Sequence, residues 1–140
     1  MFFGAIMARF HMKINDNTDY VILNRWAAHN QDIKLGEIVS LTSPKHPEQT
    51  LIKRVVGIAG DIIHTHGYKL EVLQVPEGHC WVEGDNINRS TDSNIFGPVS
   101  IGLITAKATH IIWPLSRLQC LHPSMLNHRF PLNVSKAPAG

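Results

Sequence analysis

Short apolar runs broken by Gly, Pro, Asn and Asp dominate the chain, and helical periodicity is scarce. That pattern predicts an all-β, antiparallel fold with little helix. The runs predict strands at 20–24, 37–41, 50–58, 61–65, 70–75, 80–83 and 103–112. Turn signals separate them: "SPKHPE" at 43–48, "AGD" at 59–61, "HGYK" at 66–69 and "VPEGH" at 75–79. A helical turn is expected from Trp26, in "WAAHNQD". After Arg117 the periodicity fades and proline accumulates, so 119–140 reads as a poorly ordered tail.

One predicted strand, "LIKRVVGIAGD" from residue 51, carries two adjacent cations among aliphatic residues. Side chains alternate along a strand, so Leu51, Lys53 and Val55 share one face and Ile52, Arg54 and Val56 the other. On an apolar face, desolvation lowers a lysine pKa, and a neutral amine is a general base. The plainer reading is an edge lysine that snorkels to water. Arg54 stays charged at any pH and needs a carboxylate. The later stretch "WVEGDNINRSTDSNIFGPVS", 81–100, is dense in Gly, Asp, Asn and Ser. Asp85 and Asp92 are carboxylates available to Arg54, and Ser90 and Ser93 offer hydroxyls that could orient an amine. An ordinary Asx- and Ser-rich turn is the alternative.

Composition narrows the classes. The 140 residues suit one domain, and 44% hydrophobic against 17% charged residues allow a packed core. A net charge of +2 without a basic run argues against nucleic-acid partners. Cys80 and Cys120 are read as free thiols. No apolar run reaches the roughly 18 residues of a membrane span. The start, "MFFGAIMARFHM", lacks a secretory cleavage site; its want of acidic residues fits a mitochondrial presequence weakly, and a loosely ordered terminus is the simpler reading. His64 and His66 could seed a metal site but lack further ligands, so no metal is expected. His110, in an apolar strand, reads as a core residue. "NRS" at 88–90 and "NVS" at 133–135 match the glycosylation pattern. No phosphate loop, paired-cysteine motif or other cofactor signature is present, so no cofactor is expected.

Taken together, "IKRVVGIAGD" followed by "VEGDN" and "DSNIFGPV" resembles the signal peptidase I family of serine proteases. "GEIVSLTSP" at 36–44 is similar to the family's preceding strand motif, with Glu37 where Asp is usual. Within the family, "SPKHPEQTLIKRV" and "DSNIFGPVSIGLITAKATHIIWP" look closest to the mitochondrial inner membrane protease branch rather than to bacterial leader peptidases. The resemblance implies a signal peptidase-type β domain over 19–118. It implies a serine endopeptidase in which Lys53 is the general base and Ser90 orients its amine, with Arg54, Asp85 and Asp92 as structural support. Lysine at this position also separates the chain from the endoplasmic-reticulum enzymes, which have His there. It further implies removal of signal-type presequences, small residues beside the cut, an anchor in the inner membrane facing the intermembrane space, and a heterodimer with protease subunit 1.

The nucleophile is where the chain departs from the pattern. The family's Ser-Met motif lies upstream of the first matched strand, but residues 1–17 contain no Ser or Thr, and the first Ser is Ser40. Thr18 lacks the motif, and the pair Ser124–Met125 follows every matched stretch. No nucleophile is found, and residues 1–18 are expected to be an atypical segment in place of the family's anchor and nucleophile. Two rivals remain: a non-catalytic subunit that stabilises its partner protease, and a self-cleaving repressor-type Ser/Lys peptidase. The second is disfavoured by the long match and by the lack of a DNA-binding half.

Overall fold

The computed structural model describes the backbone of residues 5–9 and, in full, residues 20–25, 28, 32–85, 91–125 and 129–132. These form strands β1 (Ala5–Arg9), β2 (Tyr20–Asn24), β3 (Ile38–Thr42), β4 (Thr50–Ile58), β5 (Ile62–His64), β6 (Val72–Gln74), β7 (His79–Glu83), β8 (Val99–Ser100), β9 (Ile104–Trp113) and β10 (Gln119–Cys120). One sheet has the order β1-β2-β9-β3-β4-β7-β8, with β10 also on β9, and β5 pairs β6 in a second, two-stranded sheet. Every pairing is antiparallel. Among the described residues, the helical segments whose two ends are both described are single turns: Ser93–Phe96, Ile101–Leu103 and Leu115–Arg117. The all-β expectation holds.

The strand ends show which local forces overrode the apolar pattern. β2 and β4 fall where expected. β3 starts at Ile38 rather than Glu37, because the chain turns at Gly36 (φ 84°) and the Glu37 amide bonds back to the Lys34 carbonyl at 3.3 Å. Asp61 and Thr65 drop out of β5. The Asp61 carboxylate accepts from the Ile58 amide at 2.9 Å, and the Thr65 hydroxyl donates to the Leu70 carbonyl at 2.6 Å. Both side chains tighten turns in place of extending the strand. Leu103 belongs to a 3-10 turn, Ile101–Leu103, capped by the Ser100 hydroxyl. Cross-strand pairing also occurs where no strand was expected: Ala5–Arg9 lies against β2, and Gln119–Cys120 lies against β9.

Three apolar clusters surround β4. Val39, Leu41, Val55 and Val82 pack on one face with Leu51. Ile38 and Ala106 pack on the other with Ile52. Val56, Ile63, Val75 and Trp81 join the small sheet to the large one. Gly57 permits that junction, since a Cβ there would lie 2.6 Å from Ile63 Cδ1. His110 does not belong to the core. It is exposed, its ring Nδ1 3.0 Å from the Thr109 hydroxyl, because a register shift opposite Ile22 and Leu23 breaks the alternation of β9 after Ala108 and turns Ile111 inward instead. The turn expected from Trp26 lies outside the described residues, as do Asn88 and Asn133.

Candidate active site

Lys53 stands midway along β4, directly across from Val39 of β3. Its face carries Leu51 and Val55, both in the cluster around Val39, so the alternation argument places it correctly. Burial lowers the Lys53 pKa from its ordinary value, and the negative charges of Asp92 and then Asp85 pull it part of the way back. Desolvation is the larger influence. A second lysine shares this register: Val39 also lies across from Lys107 of β9. Lys107 is engaged elsewhere. Its ammonium lies 2.9 Å from the Glu37 carboxylate and 2.5 Å from the Asp32 carbonyl. The carboxylate just before the neighbouring strand, Glu37, is thus matched to Lys107, and the charges that act on Lys53 come from Asp92 and Asp85, at the ends of the loop after β7.

Arg54 points to the opposite face. Its Nε and Nη2 donate to the two carboxylate oxygens of Asp85, both at 2.9 Å, in a two-pronged pair that fits a planar guanidinium. Nη1 faces the Gly36 carbonyl at 3.1 Å, the Ser124 carbonyl at 2.8 Å and the Ser124 hydroxyl at 3.1 Å. Asp85 is therefore the carboxylate that Arg54 was expected to need. Asp92 is not a second partner. Its side chain caps the turn Ser93–Phe96, accepting from the Asn94 amide at 3.0 Å, and accepts from the Gly84 amide at 3.1 Å. The reason is its position at the far end of the loop, where an N-cap needs an acceptor. Both acids hold the loop, by different bonds.

Ser90 lies outside the described residues. Ser93, the other hydroxyl considered for the amine, is fully buried and accepts from the Val82 amide at 2.9 Å. Ser124 lies on the Arg54 face, away from Lys53. Neither cysteine is bridged, and burial pushes the Cys80 thiol up to about 12, which leaves it protonated at neutral pH. His64 and His66 are exposed, with ring centroids 6.3 Å apart. Contrary to the sequence reading, His64 has an acidic neighbour, Glu71, at 3.6 Å. Even so, no group of three potential ligands forms a metal site among the described residues.

Sequence reasoning missed the underside of the loop. Glu83, the last residue of β7, is buried, and Nε of Arg129 donates to it at 2.6 Å. Asn94 joins the group, its Nδ2 donating to Glu83 at 2.8 Å and to Asp92 at 3.1 Å. The one available signal was a charged residue at the end of an apolar strand, which demands a partner; no local pattern pointed to Arg129, 46 residues away.

Comparison with known proteins shows what the chain is similar to. The chain matches the family described as signal peptidase, peptidase S26, over residues 11–74 and 66–113. It is 54% identical over 114 residues to mitochondrial inner membrane protease subunit 2 of Danio rerio, covering 81% of this chain and 62% of that protein. To the Mus musculus subunit 2 it is 49% identical, covering 87% of this chain and 70% of the relative. To subunit 1 of Homo sapiens it is 40% identical, covering 81% and 70%. The chain thus spans about six to seven tenths of the length of these relatives. A crystal structure of a signal peptidase I from Enterococcus faecalis aligns with a TM-score of 0.49 at 23% identity, over 56% of this chain and 97% of that one. The expected resemblance holds, and because the family match runs across well over half of its residues, this chain belongs to the signal peptidase family, peptidase S26.

Proposed function

We propose that residues 19–118 form the base-bearing domain of a serine endopeptidase of the mitochondrial inner membrane, facing the intermembrane space, which removes signal-type presequences in a heterodimer with protease subunit 1. The observation that carries this reading is a lysine midway along β4, on the strand face of Leu51 and Val55, where burial works against its charge, together with a loop whose ends are tied down by Asp85 and Asp92. The names of the relatives supply the location and the sister subunit. In the reaction, a serine hydroxyl attacks the scissile carbonyl while the Lys53 amine takes its proton. The C–N bond then breaks, and the ammonium returns the proton to the departing amine. Water hydrolyses the acyl-enzyme with Lys53 again as base. Ser90 orients the amine, so that it meets the nucleophile with its lone pair.

Residues 1–17 provide no Ser or Thr for the attack. The 140-residue chain alone is therefore expected not to cleave presequence peptides. Grafting a Ser-Met motif with its flanks before Asp19 should produce cleavage that Lys53→Ala abolishes. Robust cleavage by the ungrafted chain, surviving Thr18→Ala and Ser124→Ala, would overturn this account of the nucleophile. The rival reading is a non-catalytic subunit that stabilises its partner. In that case the grafted chain stays inactive, yet co-expression lengthens the lifetime of subunit 1.

A further inference from the structure

The tail segment after β10 returns along the Arg54 face and makes specific bonds there. The Ser124 amide donates to the Gly36 carbonyl at 3.2 Å, and the Leu132 amide donates to the Ile62 carbonyl at 2.8 Å. The approach at Gly36 is so close that a Cβ there would lie 2.6 Å from the Ser124 nitrogen. Arg129 is buried, 7% exposed. Its guanidinium spans both Glu83 carboxylate oxygens, and its Nη1 donates to the His64 carbonyl at 3.0 Å. A small cavity beneath is lined by Arg54, Val56, Glu83, Asp85, Met125 and Arg129.

Glu83 is more than the anchor of a tail. It closes the base of the loop that leads to Asp92. One rung joins the Gly84 amide to Asp92, and a second joins Glu83 to Asn94. Asn94 also touches Asp92, so the two rungs share one side chain. A carboxylate 6% exposed needs a counter-charge to stay ionised and in place. Arg129 is the only cation bonded to it among the described residues.

We propose that Arg129 is a positioning residue for the lysine site: it fixes Glu83, which holds Asn94 and Asp92, and so sets the loop beside Lys53 from the opposite face of the sheet. It touches no reacting group and acts only through this chain of bonds. The proposal rests on reading Lys53 as the base, but its test needs no proteolysis and therefore fails or succeeds independently of that reading.

The test uses the whole chain and three variants, Arg129→Met, Glu83→Gln, and the two combined, followed by NMR of the backbone amides and of the Lys53 amine. Arg129→Met should displace the Gly84 and Asn94 amide signals while those of β3 and β9 stay in place. Loosening the loop admits water to the amine, and since burial is the larger influence on Lys53, its titration midpoint should rise by about half a pH unit or more. Glu83→Gln retains the acceptor for Asn94 without needing a counter-charge. In that background, adding Arg129→Met should leave both readouts near their Glu83→Gln values. The proposal is overturned if Arg129→Met leaves Gly84, Asn94 and Lys53 unchanged, or if the double variant shifts them as far as Arg129→Met does. If Arg129→Met fails to fold, Arg129→Lys provides the same readout: it keeps the charge but not the fork, and should give a smaller shift of the same sign.

Discussion

Lys53 and Arg54 are neighbours on one strand, carry the same formal charge in water, and end in opposite circumstances. Lys53 faces Val39 and the apolar cluster around it, and burial works against its charge. Arg54 faces Asp85, Gly36 and Ser124, and its guanidinium is bonded on every side. The chemistry of each group suits its place. An ammonium can lose its proton and become a base, whereas a guanidinium cannot and serves as a fixed fork. Alternation along a single strand therefore separates the two: the cation proposed as the base lies on one face, and the one that ties down the loop on the other. The loop after β7 serves both, since Asp85 bonds Arg54 while Asp85 and Asp92 temper the pKa of Lys53.

The contrast can be broken at either residue. The largest effect is expected on chemistry. In a grafted, cleaving protein, Lys53→Ala should lower kcat by several orders of magnitude, about what loss of one member of a serine-protease triad costs. Arg54→Met should act on the fold instead. It leaves a half-buried Asp85 without its partner, and denaturant unfolding should show a loss of about 2–3 kcal/mol, somewhat under that of a fully buried pair. Side-chain exposures of 12% and 21% are the reason for that discount.

Lys53→Met should have the opposite sign. The Lys53 pKa is lower in the folded chain than in the unfolded one. Between the two values the unfolded state binds more protons, so stability rises with pH there. At neutral pH the buried amine is a cost, and its replacement by Met should stabilise the chain, by about 1 kcal/mol in urea. That advantage should shrink as the pH approaches the ordinary lysine value of 10.5. Equal stability differences at pH 7 and pH 10 would mean an exposed lysine. The smallest effect is Asp92→Ala, which removes an N-cap and should cost about 1 kcal/mol. Loss of its charge should also lower the Lys53 pKa further, because Asp92 is the stronger of the two influences that raise it.

The sheet was legible because β4 and β2 are long enough for their apolar pattern to outweigh local chemistry. β5 and β6 are short, and the side chains of Asp61 and Thr65 redirect the backbone at their margins. The two faces of β4 followed from alternation alone, whereas the roles proposed for Lys53 and Arg54 rest on the family resemblance. What could not be read was pairing across long separations. The choice of Asp85 over Asp92 for Arg54 depends on where the loop turns, and Asp92 is claimed by Gly84 and Asn94. Glu83 and Arg129 meet across 46 residues of sequence. Glu37 shows the same limit: it was noted as a strand residue, but its match to Lys107 depends on β9 lying beside β3.

The central claim is that the apolar face of β4 makes Lys53 a base. Its most direct test is the titration of the Lys53 amine by NMR in the folded 140-residue chain, assigned through Lys53→Arg. The account predicts a midpoint clearly below the ordinary lysine value, returning to that value when the chain is unfolded in urea. A folded-state midpoint at about 10.4, unchanged on unfolding, would contradict it.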